Sequence, residues 1–362
     1  MLEIQKYLLS GKSFLNLATE FAVDAKKHPT YPNLVLFKYD QIECSDRKLF
    51  SNRIVQECRG IILDEKNGWK VVARAFDKFF NHGETEMAQI DWTTAKVLNK
   101  VDGSLCLVYS HDNQWQVATS GTPNAGGNVG DFGFTFSELF WKTFKQMNGV
   151  LPDVNCKHCF MFELTGPFNR IVVNHKETKL TLLGSRNLET QEEMLASKTE
   201  DIFHIGIPVV GDFNLLSTDD LIKSFETMKP LEQEGYVVVD GTFHRIKVKH
   251  PGYVALHHAK DGMTFKAFVE IVRAGESSEV LTAFPEFKPM FDQVQIKYDA
   301  LVKQVESDYN DLNGILVQKE FAFGAVKSKL PGALFALRAK KTESIKHYLK
   351  DMRLDNIVAM LK

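Results

Sequence analysis

KVLNKVDGSLCLVYS, residues 96–110, reads as two β-like runs on either side of a tight Asp102-Gly103 turn, with Lys100 at the end of the first run. Working outward, WQVATS (115–120) alternates in the manner of a strand, and TLLGS (181–185) and GYVVVDG (235–241) are short buried-strand candidates. Upstream, IVQECRGIILDE (54–65) has an apolar strand start and then, after Gly60, the run Ile61-Ile62-Leu63. Between Phe132 and Met147 the period changes: Phe136, Leu139, Phe140 and Phe144 fall three or four apart, which predicts a helix. Helix and strand alternate too irregularly here for a doubly wound sheet. The expected class for residues 1–255 is α+β, with antiparallel sheets flanked by helices.

From residue 256 the character changes. Phe291, Val294, Tyr298, Leu301, Val305, Tyr309 and Leu312 again fall three or four apart, which predicts a long amphipathic helix starting near Pro289. Leu334, Leu337, Ile345, Leu349 and Ile357 extend the helical character to the end, punctuated by Pro331-Gly332. The expected division is therefore 1–255 and an all-α 256–362. GTPNAGGNVGDFG (121–133) has neither Walker nor Rossmann spacing and reads as a mobile connection.

The bulk numbers exclude more than they assert. A length of 362 residues allows one large domain and a smaller one, and 44% hydrophobic with 25% charged residues is ordinary for a globular protein. A net charge of −2 means that any basic surface for a polyanion is local. The five cysteines show no disulfide framework, and Cys156-Lys157-His158-Cys159 is at most half of a zinc site, so ordinary reduced thiols of a cytosolic protein are expected. MLEIQKYLLSGKSF shows no secretory pattern, and no window approaches the ~20 apolar residues of a membrane span, so no membrane partner is expected.

Several segments carry residues suited to one chemistry. A lysine such as Lys100 is a nucleophile only when neutral, which calls for burial or neighbouring cations. RIKVK (245–249) supplies Lys247 and Lys249, two apart and so on one face of a strand. Arg59 in ECRG stands where it could grip a phosphate or ribose, or form a surface ion pair. Glu163 lies inside the apolar run of CFMFELTGPFNRIVV and needs a polar partner, either a ribose hydroxyl or Arg170. Glu234, just before a β run, offers oxygen to a divalent metal. Lys78 in KFFN stands beside two aromatics, fit for a triphosphate tail or for packing alone.

Taken in order, ECRG, KFFN, KVDGS, FELTGPFNRIVV, EGYVVVDG and IKVKHPGY resemble the covalent nucleotidyltransferases, the superfamily of ATP-dependent ligases and capping enzymes. The ECRG, KFFN and FE…NRIVV wording is similar to the RNA ligase 1 family of the T-even phage type, over roughly residues 50–260. The resemblance implies an antiparallel-sheet, ATP-grasp-like nucleotidyltransferase domain followed by a helical domain that helps choose the RNA. It implies ATP and Mg²⁺, with Mn²⁺ as a substitute, and a cytoplasmic monomer, in the host if phage-encoded, that acts on single-stranded RNA or a nicked tRNA. Lys100 would be the adenylated nucleophile and Arg59 a nucleotide contact. Glu163 would bind ribose, Glu234 the metal, Lys247 and Lys249 the ATP phosphates, and Lys78 the triphosphate. Tyr253 matches a family tyrosine without a firm role.

One position departs from the pattern. Where the family has Ser-Lys-Gly-Ser, this chain has Thr119-Ser120-Gly121-Thr122, so Ser120 replaces a basic residue. The alternatives within the superfamily are a DNA ligase or a capping guanylyltransferase. A DNA ligase would be expected to end in a β-rich OB-fold rather than helices. Residues 319–362 hold ten Lys or Arg against four Asp or Glu, either a surface for RNA phosphates or solvated helix faces.

Overall fold

The computed structural model describes residues 1–229, 232–258, 264–283 and 287–362. It divides into two compact units, Met1–Tyr253 and Val254–Lys362.

The first unit holds three sheets among its described residues. One is a consecutive antiparallel meander of β1 (Val23–Lys27), β2 (Leu34–Tyr39), β3 (Arg59–Asp64) and β4 (Lys70–Ala73). The second runs β11 (Glu193–Leu195), β10 (Lys179–Asn187), β9 (His158–Thr165), β7 (Ser104–His111), β8 (Gln114–Thr119). The third runs β12 (Asp212–Phe213), β6 (Lys96–Asn99), β13 (Gly235–Val239), β14 (Arg245–Lys249), β5 (Phe80–Asn81), and its β14–β5 pair is parallel.

Successive residues of a strand point to opposite faces, and because both faces of β2, β7 and β9 are buried these strands read as nearly continuous apolar runs. In β2, Leu34 and Leu36 face Leu107, Tyr109 and Met161 of the second sheet, while Val35 and Phe37 face the opposite core. In β7 and β9, Val108, Phe160 and Phe162 turn the other way onto Phe140 and Phe144 of the helix Phe136–Gln146. That helix begins at Phe136, four residues inside the expected segment, because Thr135 and Glu138 form a capping box there.

Three local expectations are corrected. Arg53–Glu57, within the expected strand start at 54, is a helix whose first turn Asn52 caps by accepting the Ile54 N–H at 2.9 Å. The two runs around Asp102-Gly103 do not form a hairpin: β6 belongs to the third sheet and β7 to the second, so Lys100–Gly103 is a crossing between sheets. The glycine-rich stretch is anchored, with Ala125 and Val129 in the core and the Tyr109 hydroxyl donating to the Pro123 carbonyl at 2.7 Å.

The second unit is helical throughout its named elements. Its longest helix, Lys288–Leu312, buries Phe291, Val294, Tyr298, Leu301, Val302 and Val305. Pro331 opens the helix Pro331–Arg338. Arg338 closes a neighbouring loop by donating to the carbonyls of Ile315 and Leu316. All five cysteines are free thiols. Among the described residues no helix is long and apolar enough to cross a membrane.

Candidate active site

Lys100 follows β6 directly. Its backbone N–H donates to the Gly235 carbonyl at 2.9 Å, and its ammonium lies 2.6 Å from Glu234 Oε2. Glu234 immediately precedes β13 and is buried, with its second oxygen 4.0 Å from the Lys249 ammonium. Gly235 sits at φ +148°, and a Cβ there would come within 2.2 Å of the Val248 carbonyl. Only glycine lets β13 lie this close to β14, which brings Glu234 beside both lysines.

The crossing after Lys100 is bolted down. Asp102 Oδ2 accepts the N–H groups of Val172 and Val173 at 3.0 and 2.8 Å, and Oδ1 accepts the buried Tyr253 hydroxyl at 2.8 Å. A Cβ on Gly103 would fall 2.4 Å from the Leu164 carbonyl, so the glycine serves close approach to β9. The NRIVV and KVDGS segments are therefore parts of one joint, and Tyr253 braces it.

A cavity of about 290 Å³ opens beside this joint. Lys100, Arg59, Glu163, Lys247 and Lys249 line it, against apolar walls that include Phe79, Leu105 and Val237. Burial pushes Glu163 up to about 8; Lys100 pulls it down and Glu234 adds to the rise. Its expected rival partner, Arg170, is exposed and donates instead to the Val172 carbonyl. Lys247 is brought down to about 7, first by burial and then by the nearby charges of Lys78, Lys249, Lys100 and Arg59. The cation crowding anticipated around Lys100 thus falls on Lys247, while the near neighbour of Lys100 is a carboxylate. Arg59 lies over the Phe79 ring at 5.0 Å. Its Nη1, and Oδ1 of Asn99 beside Lys100, are buried without a hydrogen-bond partner among the described residues. Aromatic and aliphatic walls, several cations and unsatisfied polar atoms together make a pocket suited to a nucleotide.

The sequence model of the RNA ligase family matches residues 57–253, more than half of the chain. The chain belongs to the RNA ligase family. It is 26% identical over 344 residues to an RNA ligase of Rhodothermus phage RM378, covering 75% of this chain and 77% of that protein. It is 28% identical over 366 residues to a baculovirus protein (Autographa californica nuclear polyhedrosis virus) named as a bifunctional polynucleotide kinase/RNA ligase, covering 95% of this chain and 50% of that protein. A solved archaeal ATP-dependent RNA ligase is similar at 13% identity and a TM-score of 0.49, over 84% of this chain and 82% of that one. Membership of the RNA ligase family makes the chain an enzyme that joins RNA.

Lys78 does not line the smaller cavity of this RNA ligase. The Lys78 ammonium sits over the rings of Phe50, Tyr39 and Phe80, at 4.4, 5.3 and 5.3 Å, and donates to Gln41 at 3.1 Å. It lines a neighbouring cavity of about 1170 Å³, which shares Phe79 and Arg245 with the smaller one. Ser120 packs against the ECRG turn, where a Cβ on Gly60 would come 2.9 Å from its Cα. Phe79, Asn99 and Arg245 went unassigned in the sequence. Arg245 was legible, since it continues the every-second-residue pattern of Lys247 and Lys249 on β14, but Glu193 pairs it at 2.5 Å.

Proposed function

We propose that this ligase joins 5′-phosphate and 3′-hydroxyl ends of single-stranded RNA, or of a nicked tRNA, using ATP and carrying AMP on Lys100. One observation carries the reading: Lys100, Arg59, Glu163, Lys247 and Lys249 meet around a single cavity, with Glu234 against Lys100.

The Lys100 amine attacks the α-phosphate of ATP, forming a P–N bond as pyrophosphate leaves. The RNA 5′-phosphate then displaces the lysine and takes the adenylyl group. Last, a 3′-hydroxyl attacks that phosphate and AMP departs. An ammonium has no lone pair to give, so Lys100 must lose a proton before the first step, and Glu234 Oε2, 2.6 Å away, is the acceptor at hand. The buried Glu234, already flanked by two cations, has the hard oxygens that suit Mg²⁺, or Mn²⁺ in its place. A metal held there would add positive charge at the transferring phosphate. Lys247 and Lys249 meet the ATP phosphates, Arg59 and Glu163 the nucleoside, and Lys78 approaches the triphosphate from the neighbouring cavity. The helical unit contributes to RNA choice, and the enzyme works as a cytoplasmic monomer, in the host if phage-encoded.

Incubating the protein with ATP, Mg²⁺ and a 5′-phosphorylated single-stranded RNA is expected to yield adenylated RNA and RNA circles. Failure to form either, with GTP or a DNA strand serving instead, would contradict the reading.

A further inference from the structure

Phe132, Phe134 and Phe168 form a three-ring cluster in the first unit. Phe168 makes T-shaped contacts with Phe132 and Phe134, ring centres 5.0 and 5.3 Å apart, and Phe132 lies near-parallel to Phe134 at 6.1 Å. Only Phe134 packs on the core of the second sheet; Phe132 is 55% and Phe168 38% exposed. Anchoring the core therefore accounts for one ring of the three.

The cluster is fixed to the reaction site. Phe168 lies a few residues beyond Glu163. Its neighbour Asn169 donates to the Leu164 carbonyl at 2.7 Å and to the Ser104 hydroxyl at 3.1 Å, next to the crossing that carries Lys100. On the other side, the Val129 N–H donates to the Phe134 carbonyl and the Phe132 N–H to the Val129 carbonyl, so Phe132 sits on a closed turn. Residues 164–177 hold Arg170, His175 and Lys176 against one carboxylate, Glu177, which pairs with Lys179 at 2.9 Å; Arg170 and Lys176 are exposed. Asp131, beside Phe132, is the one opposing charge in residues 121–137.

We propose that Phe132 and Phe168 are a stacking platform for unpaired nucleobases of the RNA being sealed, with Arg170 and Lys176 meeting its phosphates; the inference rests on the RNA-joining reading above. Binding unpaired RNA needs a grip on its bases as well as on its backbone. An aromatic face provides one, since all four bases have a π-face, while exposed cations follow the backbone. Unpaired RNA is the occupant that matches bare rings, a basic flank and attachment to the nucleotide pocket at once.

The test uses the full chain and 5′-phosphorylated RNAs carrying the fluorescent base 2-aminopurine at successive positions from each end. Self-labelling from ATP is measured for every sample, and affinities are expressed per labelled enzyme. The parent is expected to quench the probe at one or two positions near one end. The double variants Phe132→Ala/Phe168→Ala and Phe132→Leu/Phe168→Leu should lose that quenching and bind RNA roughly tenfold more weakly. Phe168→Trp should retain both. Removing the base at the quenched position should weaken the parent but not the double variants further. Unchanged quenching and affinity in the leucine variant would overturn the platform, as would a parent that quenches no position. Loss of self-association in place of RNA binding would overturn it in favour of a second copy as occupant. A parent that neither labels itself nor seals RNA sinks the ligase mechanism; one that does both without a stacking signal sinks only the platform.

Discussion

Lys247 is buried among like charges and its ammonium is brought down to about 7. Between about 7 and the ordinary 10.5 the unfolded chain keeps a proton that the folded chain has released, so this group makes stability rise with pH across that window. Glu163, pushed up to about 8, does the reverse between 4.5 and 8, where the folded chain keeps the proton and stability falls as pH rises. Glu163→Gln should therefore gain in melting temperature over the parent as pH climbs from about 5 toward about 8. The free site should lose ATP affinity as pH passes 7, by up to about tenfold per pH unit, because the uncharged amine cannot attract phosphate. Lys247→Arg, whose guanidinium stays charged, should lose that dependence when both proteins are titrated with ATP in parallel. Lys100→Ala is expected to abolish labelling by ATP, and Lys100→Arg to fail as well, since a guanidinium is a poor nucleophile. The residue types at the site were legible because ECRG, KVDGS and IKVK are short and local. Which lysine the cations crowd was not, because that depends on the meeting of three sheets.

The element that organises the site is the crossing from β6 to β7. Read locally, Asp102-Gly103 is a hairpin turn, and nothing within a few residues says otherwise. The deciding contacts are remote: Asp102 reaches Val172, Val173 and Tyr253, and Gly103 abuts Leu164. Asp102→Ala would strand two buried N–H groups and a hydroxyl, at a cost of about 3 kcal/mol, read from denaturant unfolding. It should also slow self-labelling, because the strap that positions Lys100 loosens. Gly103→Ala should be worse than its size suggests, since the Leu164 carbonyl stands where the methyl group would go. Strand β8 was legible from its alternation, β10 and β13 as short apolar runs, and the helices Phe136–Gln146 and Lys288–Leu312 from apolar residues three or four apart. The short Arg53–Glu57 helix was not, because one turn held by an Asn52 cap leaves too little periodicity to read.

At the scale of the whole molecule, sheets and helices impose different periods, which is why the sequence suggests a change of character at residue 256; the structure divides into Met1–Tyr253 and Val254–Lys362. What each unit does is a separate question. Lys327, Lys329, Lys340, Lys341 and Lys350 are exposed on the helical unit, whereas Arg338 is spent on the Ile315 and Leu316 carbonyls and the Phe321 ring, so a basic count alone overstates the surface open to RNA. A chain ending at Tyr253 is expected to label itself from ATP while sealing RNA poorly; equal loss of both activities would make the helical unit part of the catalytic fold. The chemistry of the first step is decided by where AMP attaches. Peptide mass mapping of the intact protein after incubation with ATP and Mg²⁺ should find a single added AMP on the peptide containing Lys100. An adduct on Lys247 or another lysine, or none under conditions where RNA is sealed, would contradict it.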